Sequence, residues 1–455
     1  MTAHQLRPRP VDTPPCDLTR RRLLQLGLGA ALTFPALSAC AGFDTSGAVA
    51  GKGTVSWLST QFGPVEERQR YERVLSENLA DVPVAYNPVD AGVFGSTLRS
   101  QTEAGAVTVS MVGGLHGDLA PLADVLDPVD TLLTDLANAG IPRNILELTR
   151  FGGGTPKYVP WMQATYIVAV HKSALAWLPG GVDVNNLTYD GYLAWAKAAK
   201  AANGKPVFGF PAGPKGLHHR FYQGFLLPSF TGGQITTFRN DEAVGAWEYM
   251  RELWDSMVPG STNYDFMQEP LASGEVLVAW DHVARLVGAP QDKPDDWLMV
   301  PAPRAKYGLG YLLIVAGVAL PKGGTERDRA EQAIRALSRP ATQVATLKEN
   351  AFFPVVRADL TDDLSGAISL EAEAVRAQQN AKVPLLALPP VGLGAKDGEV
   401  SQIFKNCFQQ ICLEDQPVRQ VLDTQAKQLN TILAGLKVPC WAPDPAESGQ
   451  TCEVL

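Results

Sequence analysis

The sequence predicts a two-lobed α/β fold, each lobe a mainly parallel sheet flanked by helices, and three observations carry that expectation. Strand-like and helix-like segments alternate along the chain, the pattern of parallel sheets with covered faces. With 455 residues the chain is long for one hydrophobic core, so two are expected. The alternation resumes with changed partners after residue 158, and no repeat of about 20 to 50 residues is visible, which argues against a solenoid.

Residues 1–39 read as an export address rather than as part of the fold. Thr19-Arg20-Arg21-Arg22-Leu23-Leu24-Gln25 sets paired arginines before a short apolar stretch, and Leu37-Ser38-Ala39-Cys40 is a small-residue cleavage site ending in cysteine. The stretch 23–37 is shorter than the roughly 20 residues needed to cross a bilayer, and Gly27, Gly29 and Pro35 weaken it as a permanent helix. The expectation is a twin-arginine lipoprotein signal peptide, cut before an acylated Cys40 that anchors the protein to the outer face of the cytoplasmic membrane. Residues 40–53 are small and polar, which suits a flexible tether.

The body is expected to begin at Thr54. Residues 54–58 read as a buried strand, and Pro64-Val65-Glu66-Glu67 opens a helix with proline in its first turn and acids at its positive end. Tyr71, Val74, Leu75 and Leu79 continue that helix at its own period. Val82, Val84 and Tyr86 alternate as a second strand, 93–103 suits a helix, and 107–112 is a third strand ending in Gly113-Gly114. Tyr158-Val159-Pro160-Trp161 leads into a strand over 165–170, and a helix starting near Leu187 ends before Gly204. An amphipathic helix follows over 241–257, then strands over 275–280 and 309–320, the latter closed by Pro321-Lys322-Gly323-Gly324. From 329 onward the pattern is mostly helical.

Charge and cysteines narrow the function. The whole chain carries −8, and the leader holds five arginines against two aspartates, which leaves the mature part near −11. An acidic surface argues against nucleic acid, whose binding rests on Lys and Arg neutralising phosphates. With Cys16 in the leader and Cys40 at the cleavage site, Cys407, Cys412, Cys440 and Cys452 remain, an even set that reads as two disulfides stapling the tail. Cys407 and Cys412 sit five apart on different faces of an expected helix, so each is expected to reach to the tail, with the connectivity open. No histidine lies near them, and no metal site is expected.

The order of these pieces resembles bacterial extracellular solute-binding protein family 1, the sugar-binding lipoproteins of ABC importers that include maltose- and glycerophosphodiester-binding receptors. The resemblance rests on the strand-turn-helix of 57–73, the strand and loop from Ser110 to Asp118, and the Tyr158-Val159-Pro160-Trp161 passage into a second lobe. It rests also on Leu271-Ala272-Ser273-Gly274-Glu275 with the strand to Trp280, and on the return strand of 307–322. Departures stand at Lys157-Tyr158, at His171-Lys172 and at Trp280-Asp281, where the family has glycine before valine, asparagine-lysine, and a small residue. The resemblance implies a periplasmic-binding-protein type II fold with the ligand cleft between lobes, spanning 54–160 with 296–342 and 161–295 with 343–455. It further implies a monomer that takes no cofactor, catalyses nothing, and hands a carbohydrate, expected to be an oligosaccharide, to the transmembrane subunits of an ABC permease.

Sugar capture needs flat aromatic faces and planar polar groups, and the family pattern points to residues that supply them. From the first lobe these are Gln61 and Phe62 after the first strand, and His116 and Asp118 after the third, although Asp118 also suits a helix N-cap. Trp161 and Gln163 stand at the passage between lobes, Trp280 and Asp281 close a strand, and His219 and Tyr222 begin a helix. Gly310 and Tyr311 offer amides and a ring, and Phe353 and Arg357 belong to a late loop whose arginine either forks to a ligand or makes a surface ion pair. Two alternatives stay open: a receptor for a glycerol-phosphate derivative, and a secreted carbohydrate-active hydrolase. The second lacks a glycine-x-serine-x-glycine elbow and a His-Glu-x-x-His pair, and its adjacent carboxylates Asp295-Asp296 and Asp362-Asp363 do not face each other across a bond.

Overall fold

The computed structural model describes residues 53–455 apart from 359, 361–363, 365, 394–395 and 446–449. The expected signal peptide, Cys40, nearly all of the tether and the Asp362-Asp363 pair lie outside the described residues. No described helix is long and apolar enough to cross a membrane.

The described strands are β1 (Val55–Ser59), β2 (Val84–Pro88), β3 (Met111–Leu115), β4 (Val159–Ala164), β5 (Tyr166–His171), β6 (Phe208–Gly209), β7 (Val278–His282), β8 (Trp297–Val300), β9 (Leu309–Leu312), β10 (Ile314–Ala319) and β11 (Pro384–Ala387). They form a five-stranded sheet in the order β2-β1-β3-β10-β4, a four-stranded sheet in the order β6-β7-β5-β8, and a parallel pair of β9 with β11. Parallel pairing is concentrated at β2-β1-β3, while β10 runs antiparallel to both β3 and β4, and β5 runs antiparallel to β7 and β8. Both sheets are therefore mixed, each with helices against it. Val55 and Trp57 enter one apolar cluster and Leu58 the other, the period-two alternation of a strand covered on both faces.

Local chemistry fixes the helices. The helix Tyr189–Asn203 starts where the Thr188 hydroxyl accepts the Gly191 amide and stops at Gly204, whose φ of 72° supplies the left-handed turn. The helix Gly366–Gln379 packs on β8 and β5 of the second sheet, and Pro340–Asn350 packs on Val65–Asn78 of the first lobe. The segment 296–342, expected whole in the first lobe, thus divides: β8 joins the second sheet and β10 the first. The run 309–320, expected as one strand, breaks at Leu313 into β9 and β10, which pair with different partners.

Three described segments cross between the lobes. One is Thr165, the single residue between β4 and β5; another is Leu313. The Thr165 hydroxyl donates to the Leu312 carbonyl at 2.7 Å, which ties these two crossings together. Gln378 clamps the joint, its side-chain amide donating to the Thr165 hydroxyl and the Tyr166 carbonyl while its oxygen accepts the Ala302 amide. The remaining crossing runs beside β4, where Phe353 and Gln163 exchange backbone hydrogen bonds at 2.7 and 2.9 Å.

The cysteine expectation needs correction. Cys440 and Cys452 bond to each other, with Cα atoms 4.6 Å apart, and Cys407 and Cys412 are free thiols. The reason is geometric: Cys407 lies on the buried face of the helix Asp397–Phe408, fully inside the core, while the two tail cysteines close their own short loop.

Candidate functional site: a cavity between the lobes

Because β1, β2 and β3 are parallel, their C-terminal ends lie on one edge of the sheet and the loops that follow them converge. Thr60 and Gln61 follow β1, the helix Ala91–Glu103 follows β2, and His116 and Asp118 follow β3. The helix after β2 and the loop after β3 form one wall of a cavity of about 520 Å3. The facing wall comes from the second lobe: Arg220, the segment 388–393 and Asp397. A more open groove of about 590 Å3 shares Ala91, Leu115 and Asp118 with the cavity and continues past Thr60 and Gln61.

Asp118 is held by its own loop. One carboxylate oxygen accepts the Thr60 hydroxyl at 2.6 Å and the Leu115 amide at 3.0 Å, leaving the other for the cavity. The side chain thus caps the short helix His116–Leu119 from inside its first turn and lines the cavity as well. Gly114 keeps the room for this: a Cβ there would lie 3.1 Å from Asp118 Cβ and 3.2 Å from the Thr60 hydroxyl. Burial raises the Asp118 pKa, while the Thr60 and Leu115 hydrogen bonds and the Arg220 charge pull it back.

His116 is positioned through two layers. Its Nδ1 sits 3.0 Å from the Tyr158 hydroxyl, and its ring lies against Phe151. The Tyr158 ring in turn packs flat against β10, where a Cβ on Gly317 would come within 2.1 Å of it, so the strand needs glycine there. Burial lowers the His116 pKa to about 4, which keeps the ring neutral at ordinary pH, one nitrogen donating and the other accepting.

Arg220 is the cation that the second lobe brings to the cavity. It makes no ion pair with any described residue, in contrast to Arg99 at the rim, whose guanidinium forks onto Asp124 at 3.1 and 3.2 Å. Asp397, also on the wall, has its pKa raised by burial, lowered by Arg220 and raised again by Asp118, so the three charges feel one another across the cavity. Two carboxylates, one guanidinium and a neutral imidazole thus put both hydrogen-bond acceptors and donors on the same cavity. Among the described residues no group of histidines, cysteines and carboxylates could hold a metal ion.

Of the residues expected at the site, Gln61, His116 and Asp118 line the cavity or its groove. The others are placed elsewhere. Phe62, with a left-handed φ of 55°, turns its ring into the first-lobe interior against Tyr71 and Trp161. Trp161 is 1% exposed in the same cluster, and Gln163 bonds the Pro354 carbonyl and, through its backbone, Phe353. Trp280 is stacked on Tyr166 with centroids 4.6 Å apart, and Asp281 is buried beneath it, accepting the Met267 and His282 amides. Tyr222 lies fully buried between Trp247 and Phe408. The Gly310 amide donates to the Ser229 hydroxyl, and Tyr311 pairs with Leu386 in the β9–β11 ladder. Arg357 is exposed beside Gly140, away from the cavity.

The residues missed are Arg220, Asp397 and the wall 388–393. The expected His219 is buried, with its pKa driven well down by desolvation, and the next residue, about 100° further round the helix, is the one that faces the cavity. A single arginine directly after two buried histidines, His218 and His219, is visible as a cavity residue in the sequence only if the helix phase is known.

Comparison with known proteins agrees with this architecture. Maltose-bound MalE3 of T. maritima superposes with a TM-score of 0.65 at 17% identity, covering 84% of this chain and 100% of that one. The GacH receptor of Streptomyces glaucescens, solved with acarbose, gives 0.64 at 16% identity over 85% and 99% of the two chains. UgpB from Mycobacterium tuberculosis in complex with glycerophosphocholine gives 0.64 at 18% identity over 85% and 99%. At these identities the likeness establishes the fold: two lobes, sheets flanked by helices. No curated protein sequence is matched. The family model for bacterial extracellular solute-binding protein matches residues 73–344, more than half of the sequence. Strands, crossings and this match agree: the chain belongs to the bacterial extracellular solute-binding protein family.

Proposed function

We propose that this chain is the extracytoplasmic receptor of an ABC importer, that it binds a carbohydrate in the cavity between its lobes, and that it delivers the carbohydrate to the permease without altering it. The observation that carries the reading is the joint construction of the cavity: His116 and Asp118 from the first lobe meet Arg220 and Asp397 from the second, with Gln61 on the adjoining groove. A ligand held by both walls stabilises the closed arrangement over the open one, which is how occupancy is reported to a permease. In this reading the first lobe spans about 54–164 with 314–357, the second 165–313 with 358–455, and the chain acts as a monomer held to the outer membrane face through a lipid on Cys40.

The charge arrangement favours a neutral hydroxylated group over a glycerol-phosphate derivative. A phosphate on Arg220 would face Asp118 and Asp397 as well, and like charges at close range cost affinity. The decisive measurement is thermal unfolding of the purified chain against a panel of neutral saccharides and glycerophosphodiesters. A neutral saccharide is expected to raise the melting temperature by mass action and to be recovered unchanged. A shift with glycerophosphodiesters alone, or hydrolysis of the saccharide, overturns the reading.

A further inference from the structure

The lining of the cavity divides by chemistry. Asp118, Arg220 and Asp397 act on one another electrostatically, Asp118 also borders the polar groove of Thr60, Gln61 and Asp90, and Arg99 is taken up by Asp124. Most of the remaining lining is aliphatic, with Leu122, Leu148, Leu388, Pro389, Val391 and Leu393. Among the described residues no phenylalanine, tyrosine or tryptophan lines either the cavity or the groove. The rings that serve as platforms for bare sugars are spent in the cores of the lobes.

An aliphatic wall is a poor surface for a chain of sugar rings. Hydroxyls pressed against leucine and proline lose hydrogen bonds to water and gain none, and Pro389-Pro390 has no backbone N–H to offer them. An alkyl group in the same place loses nothing polar and gains by burial. Val391 makes this wall continuous with the first lobe, since a Cβ on Gly117 would lie 3.5 Å from its Cγ1.

Resting on the carbohydrate reading above, we propose that the ligand is an amphiphilic glycoside, its saccharide head held by Asp118, Arg220 and Asp397 and its aliphatic substituent lying against Leu122, Leu148, Pro389 and Val391. The head supplies orientation and the substituent supplies affinity. Each methylene seated on the wall tightens binding about fourfold.

The test is calorimetric titration of the full chain with matched pairs of methyl and n-octyl glycosides of glucose, galactose and maltose, kept below their micelle-forming concentrations. Octyl tetraethylene glycol ether, the same chain on a head without a sugar, serves as control. An octyl glycoside is expected to bind at least tenfold more tightly than its methyl partner and at least tenfold more tightly than the control. Val391→Asp and, separately, Leu148→Ser are expected to reduce the octyl-to-methyl ratio. Equal affinity within each pair, with methyl glycosides binding well, overturns the amphiphile and leaves the carbohydrate receptor standing. Equal binding of the control and the octyl glycosides overturns the saccharide head. Binding of none of them overturns both readings.

Discussion

The interior of the first lobe and the wall of the cavity use opposite kinds of apolar side chain. Inside the lobe Trp57 meets Trp161 at 4.8 Å between centroids, Phe62 meets Tyr71 at 4.5 Å, and Tyr86 closes the group against Trp57 at 5.0 Å. The cavity is faced instead with leucine, proline and valine. Ring pairs with fixed geometry contribute about 0.5–1.5 kcal/mol beyond their buried area, so they suit a scaffold that must hold the ends of β1 and β3 still. Aliphatic groups are indifferent to orientation and suit a surface against which a flexible substituent lies. Interior groups should therefore govern stability, and wall groups binding.

The largest effect that could break this contrast is on Trp280, which is 2% exposed and stacked on Tyr166. Trp280→Ala is expected to lower unfolding stability by about 3–5 kcal/mol in urea titration while ligand still raises the melting temperature of the folded fraction. Unchanged stability with lost binding would move this ring from scaffold to site. Next, replacing Cys440 and Cys452 together by serine opens a bridge of sequence separation 12 and is expected to cost about 3 kcal/mol without changing ligand affinity.

A smaller effect concerns a buried acid. Glu371 is 0% exposed, neither carboxyl oxygen has a partner among the described residues, and burial pushes its pKa well above the ordinary value of 4.5. Below the ordinary value folded and unfolded chains are both protonated there and no penalty arises. As pH rises past it the unfolded chain ionises first, so stability falls by up to about 1.4 kcal/mol per pH unit until the folded-state pKa is reached. Glu371→Gln is expected to flatten that slope, read from urea midpoints between pH 4 and 8; an unaltered slope would place the titrating group elsewhere. The smallest expected stability change, below about 1 kcal/mol, belongs to Arg220→Gln on the wall, yet that variant should lose the ligand-induced shift in melting temperature. A retained shift would remove Arg220 from the site.

The scaffold was legible because it follows from pattern. Alternation in Val82, Val84 and Tyr86, the period of Tyr71, Val74 and Leu75, and Gly204 as a helix stop each correspond to an observed element. Loops that follow parallel strands converge whatever their sequence, which is why Gln61, His116 and Asp118 stand beside the cavity or its groove. The rest depended on phase and on distance. Phe62 and Gln61 diverge through one left-handed φ, His219 and Arg220 through one helical step, and the break at Leu313 interrupts an apolar run that shows no composition change. Asp397 lies 279 positions beyond Asp118, and only the folded chain brings the two into electrostatic contact. Aromatic residues misled for a physical reason: the properties that make a ring a sugar platform, size and a flat apolar face, also make it the preferred filler of a core.

The hydroxyl of Thr165 joins two of the three crossing segments at a single oxygen, and Gln378 pins that oxygen from the second lobe. A joint pinned at one point permits swinging and forbids sliding. The lobes should then move like jaws about a pivot, with Asp118 and Arg220 parting by far more than the residues beside Thr165. Threonine-to-valine exchange at that pin keeps the shape and removes the tether, so it should alter how fast the jaws open and shut before it alters what they hold.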